Sequence, residues 1–161
     1  MKLFSKLCLW LSNGSLHLAR IALLGLGIIV IIGVVRRYVF NNEPPYTEQV
    51  ALLLMISVAM FGAAAGVRES GHIGLDSVVK LLPKPVQRSI HVLAEIIILS
   101  FGVVLFVGGL EMATSTYHDT IPTLGISEIF RYLPVLIAAI LIVLFSIEHL
   151  LQFAFNRKQS T

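Results

Sequence analysis

The sequence predicts an all-α integral membrane protein: a bundle of four transmembrane helices with short interfacial amphipathic helices, and no sizeable domain outside the bilayer. Three observations carry this. Of the 161 residues, 57% are hydrophobic and 13% charged, against about 45–50% and about 25% in soluble domains. Four stretches each hold the roughly 20 mainly apolar residues that a helix needs to cross the hydrocarbon core. Helix-breaking clusters separate them, so residues 1–161 form one membrane domain.

The elements follow in order. In residues 2–12, Leu3, Phe4, Leu7 and Leu11 share one helical face, with Lys2, Ser5 and Lys6 elsewhere. This is an amphipathic helix in the membrane interface, with Trp10 at headgroup level. A signal peptide fits poorly, because LCLWL is a short apolar run and no small-residue cleavage site follows. Span one runs roughly from residue 17 to 38. Asn41-Asn42-Glu43-Pro44-Pro45 then breaks the chain, and Thr47 is the expected N-cap of span two, roughly 47–67. Leu75, Val78, Val79 and Leu82 repeat the amphipathic pattern, stopped by Pro83. Span three covers roughly 89–112, and span four roughly 130–155 after a Pro- and Gly-containing turn.

Charge sets the orientation. Lys2, Lys6, Arg20, Arg68, Lys80, Lys84, Arg88, Arg157 and Lys158 fall on one side, and Arg36, Arg37 and Arg131 on the other. The positive-inside rule places the richer side, with both termini, in the cytoplasm. The net charge of +3 is too small to argue for a nucleic-acid partner. Cys8 is the only cysteine, which excludes an intrachain disulfide and reads as a small apolar residue.

Ionisable residues in or near spans are the candidate functional groups. Arg20, Glu95 and Glu148 fall at shallow depth on the basic side, as do His17, His91 and His149. The plainer reading is a structural ion-pair cluster or snorkelling side chains. On the opposite side, Arg36 or Arg37 is expected to meet Glu48 across the first loop, where the helix dipole favours a carboxylate. Gly62 and Gly66, within a glycine-alanine run, form a small-xxx-small pair that suits close helix packing. There is no GxxxxGK[ST], HExxH or nucleophile elbow, no acidic residue mid-span and no repeated pair of broken helices. Such a chain reads as a non-catalytic accessory subunit with no cofactor and no metal site.

Arg37-Tyr38-Val39-Phe40, Thr47-Glu48-Gln49, the glycine-alanine end of span two, Gly71-His72-Ile73-Gly74-Leu75-Asp76 and Leu82-Pro83 together resemble the small membrane subunit of TRAP (tripartite ATP-independent periplasmic) transporters. Gln49 departs from the family pattern, which often has a second acidic residue there. The resemblance implies an inner-membrane protein obligately paired with a large membrane subunit. That subunit would hold the substrate and sodium sites, and a periplasmic binding protein would dock transiently. It implies sodium-coupled uptake of an organic anion, of the sialic acid or four-carbon dicarboxylate class, with His72 and Asp76 as candidate interface residues. Two other classes compete with this reading. A membrane cytochrome b, with His17, His91 and His149 as haem ligands, predicts a Soret band. A self-sufficient dimeric exporter would carry a central acidic residue in an early span, which span one lacks.

Overall fold

The computed structural model describes residues 2–42, 44–69, 84–121, 123 and 125–156. They form four helices: α1 (Lys2–Val39), α2 (Tyr46–Glu69), α3 (Lys84–Ser115) and α4 (Ile129–Asn156). Each is long and apolar enough to cross a membrane. The second amphipathic stretch, with His72 and Asp76, lies outside the described residues.

The helices run up, down, up, down. A Cβ on Gly33 would meet Thr47, and one on Gly25 would meet Leu54, so α1 and α2 are antiparallel. Gly102 faces Ile142 and Val143 while Gly109 faces Leu136, so α3 and α4 are antiparallel too. The α1–α2 and α3–α4 connections therefore share one end of the bundle, the hairpin end. The start of α1 and the end of α4 lie at the other, the terminal end. The two hairpins meet through α2 and α4, with α1 touching α4 more lightly. This order makes α4 the most enclosed helix and α3 the least.

The amphipathic stretch 2–12 is not a separate helix. It continues into span one without a break, because Ser12, Asn13, Gly14 and Ser15 hold helical geometry. Packing explains why. Cys8, Ser12, Ser15, Ala19 and Ala22 form a buried stripe of small residues along α1, at the spacing of one helical face. Seating that face on the bundle carries the helix through a sequence that is weak in helix propensity. Leu7 and Trp10 point outward, Trp10 with 76% exposure.

The expected N-cap at Thr47 is also corrected. The helix starts at Tyr46, one residue earlier. The Thr47 hydroxyl has no hydrogen-bond partner, and its methyl packs on Gly33. A Cβ at Gly33 would lie 2.8 Å from that methyl, so only glycine fits there without a shift. The turn before it uses Asn41 at φ 50°, which brings the Asn42 N–H back to the Arg36 carbonyl at 3.2 Å. Asparagine tolerates this left-handed conformation better than most residues. The core itself sits toward the terminal end, where Phe145, Ile142, Leu141, Ala138, Ala64 and Cys8 pack together.

Candidate functional site

Polar side chains gather at both ends of the bundle. At the terminal end, Glu95 of α3 is fully buried, and its Oε1 lies 2.8 Å from His149 Nδ1 on α4. A separation this short has a proton between the two atoms. The preceding residue, Glu148, is 3% exposed and turns the other way. Its Oε2 accepts a long contact of 3.4 Å from Arg68 Nε on α2, and its Oε1 accepts from Gln152 Nε2 at 3.2 Å. The Cys8 thiol of α1 adjoins Glu148 and Arg68. The four helices are thus joined at this end by two polar contact groups, on opposite sides of α4. A buried charge that loses its partner costs about 3–5 kcal/mol, which sets the stakes of these contacts.

At the hairpin end, Arg131 of α4 donates from Nη1 to Glu128 and from Nη2 to Gln49 of α2, both at 2.9 Å. Arg36 of α1 donates to the Tyr46 hydroxyl at 3.1 Å. Arg131 and Glu148 lie about 25 Å apart along α4 at 1.5 Å per residue. The two polar layers therefore bracket most of a hydrocarbon core about 30 Å thick.

The structure brings some sequence candidates together and separates others. Glu95 and His149 meet, while Glu148, at the same level, pairs with Arg68 instead. Arg20 and His17 join neither contact, for both lie on the exposed side of α1. His17 cannot pair with His91 across the bundle, because α1 and α3 share no packed interface, and His149 is already engaged by Glu95. Glu48 makes no ion pair with Arg36, which bonds Tyr46 instead. Glu48 is two residues further along α2, roughly 200° round the helix from Tyr46, and is exposed. Arg37 is exposed at the end of α1.

The close packing within α2 comes from Phe61, Ala64 and Ala65, all buried. Gly62 has open space among the described residues where a Cβ would stand, so it faces away from the other described helices, and Gly66 is half-buried. Sequence reasoning missed Tyr46, Gln49 and Arg131 as contact residues and used Arg68 only in the charge count. Arg131 and Gln49 are 82 residues apart, and Arg68 and Glu148 are 80 apart. No local pattern links such pairs.

With four membrane-length helices and shallow polar layers in view, the comparisons with known proteins decide the family. Residues 26–156 match the DctQ component of the tripartite ATP-independent periplasmic transporters. The chain belongs to this family. It is 26% identical over 146 residues to a putative TRAP transporter small permease protein of Haemophilus influenzae, covering 89% of this chain and 88% of the relative. It is 31% identical over 142 residues to the sialic acid TRAP transporter permease protein SiaT of Haemophilus influenzae, covering 84% of this chain but 21% of that longer protein. A C4-dicarboxylate TRAP transporter small permease protein of Pseudomonas aeruginosa is 30% identical over 76 residues, 47% of this chain and 36% of the relative. The protein is therefore a multi-pass membrane protein and a small permease subunit of a TRAP transporter.

Proposed function

We propose that this chain is the non-catalytic scaffold subunit of a sodium-coupled uptake system for an organic anion, sialic acid or a four-carbon dicarboxylate. In this reading it sits in the inner membrane with both termini in the cytoplasm. It pairs obligately with a large permease subunit that moves the substrate, and a periplasmic binding protein docks transiently on the pair. The observation that carries the partnership is the SiaT relative. A chain like this one matches 21% of a longer protein that is itself named a TRAP transporter permease, which supports a larger permease partner for this chain.

The distribution of polar groups supports a scaffold role. The described ion pairs sit at the two ends of the helices, as suits a chain that acts through packing along its length. The nine-to-three division of Lys and Arg supports the orientation. Relatives named for sialic acid and for C4-dicarboxylate support the substrate class. Uptake by proteoliposomes with the large subunit and binding protein, with and without this chain, tests the reading. Uptake is expected to require the chain and to be driven by a sodium gradient. Full-rate transport without it would overturn the scaffold role, and a substrate or sodium ion held by Glu95 or Glu148 would overturn the absence of a site.

A further inference from the structure

We propose that Glu148 and His149 form a two-headed clasp that holds the terminal end of the bundle closed. The argument begins with the connections. Each hairpin is closed covalently at the hairpin end, by residues 40–45 between α1 and α2 and by 116–128 between α3 and α4. At the terminal end the chain passes from α2 to α3 through residues 70–83. In chain order α4 is not joined directly to α2, and it is joined to α3 only at the hairpin end. In lipid, apolar side chains give helices little drive to associate, and polar contacts and shape must do it.

The side chains of α4 stand where covalent closure is missing. Consecutive residues on a helix point about 100° apart. Glu148 therefore reaches Arg68 on α2 at 3.4 Å while His149 reaches Glu95 on α3 at 2.8 Å. One head docks the second hairpin on the first, and the other closes the open end of the second hairpin. Cys8 of α1 adjoins the first head. The fully buried Glu95 makes the second head costly to open, because opening it takes the 2.8 Å His149 contact from a buried carboxyl group. Glu148 and His149 are positioning residues: they keep the terminal ends of α2, α3 and α4 in register, and so keep the scaffold's outer faces fixed.

The clasp rests on the geometry of this chain. Only its consequence for transport rests on the scaffold reading, so the structural measurement comes first. Spin-label pairs at exposed positions in the assembled transporter, in a Cys8→Ala background, report each end separately. Leu93 with Leu151 reads the terminal end of the α3–α4 hairpin, and Leu110 with Leu133 reads its hairpin end. His149→Ala is expected to lengthen the first distance by several ångströms and broaden its distribution, leaving the second unchanged. Should that variant fail to assemble, the double substitution Glu95→Leu with His149→Leu removes both polar groups of the contact together and is expected to give the same end-specific opening. Labels at Ala63 and Leu151 are expected to separate in the same way when Arg68→Gln and Glu148→Gln are combined. An unchanged terminal-end distance, or equal opening at both ends, would overturn the clasp. If the clasp opens as described while uptake stays at its full rate, the clasp stands and the rigid-scaffold reading fails.

Discussion

α3 and α4 are neighbours in one hairpin and comparably apolar, yet 44% of the most apolar stretch of α4 is buried in the bundle against 11% for α3. Hydropathy does not separate them. Position does: α4 packs on α2, α3 and α1, whereas among the described helices α3 has its extensive interface with α4. The contrast teaches that in a membrane chain apolarity reports contact with lipid or protein alike. The interior is marked instead by small residues and paired charges, such as Ala138, Ala139, Ser146 and Glu148, all buried on α4.

The comparison breaks or sharpens under substitution. The largest effect is expected at the enclosed side. Arg68→Ala leaves Glu148 buried without its guanidinium partner and should lower stability by about 3–5 kcal/mol. Arg20→Ala, on the exposed side of α1, should stay within about 0.5 kcal/mol. Unfolding of the purified protein in mixed micelles measures both, and equal losses would show that the burial contrast carries no energetic meaning.

Two glycines on α3 test the same contrast within one helix. A Cβ at Gly102 would lie 3.0 Å from both Ile142 and Val143, so Gly102→Leu should force the hairpin apart and cost about 1–3 kcal/mol. Gly108 has nothing within 4 Å, so Gly108→Leu should leave unfolding unchanged within about 0.5 kcal/mol.

At the hairpin end the Arg131–Glu128 pair is partly exposed. Arg131→Ala should therefore cost under about 1 kcal/mol, and Gln49→Glu should gain a few tenths up to about 1 kcal/mol by making the contact ionic. The smallest effect on folding belongs to Gly62→Leu, which has room for the side chain. That substitution should leave the unfolding curve alone yet lower uptake by the assembled transporter, because the open side of Gly62 is where a partner helix would approach. Unchanged uptake would place the partner elsewhere.

The four helices, their order and the gathering of basic residues toward the terminal end were legible because helix length and charge are local, countable properties. The continuity of α1 was not. Ser12 to Ser15 look like a break, and only the buried stripe from Cys8 to Ala22 shows why they stay helical. The ionisable candidates were partly legible. Depth follows from counting residues, so Glu95, Glu148 and His149 could be set at one level. Partners could not be assigned, because Arg68–Glu148 and Glu95–His149 each join different helices far apart in sequence.

By itself the sequence determined that this chain crosses a membrane four times, because about 20 apolar residues suffice for each crossing whatever surrounds them. Its motifs already pointed to the small TRAP subunit. Tertiary structure alone decided which helix is central, that Arg36 meets Tyr46 rather than Glu48, and that Gly33 rather than Gly62 makes the close approach within the chain. The reason is rotational. A hydrophobic span tolerates any angle about its axis in lipid, and only the shapes and charges of its neighbours select one.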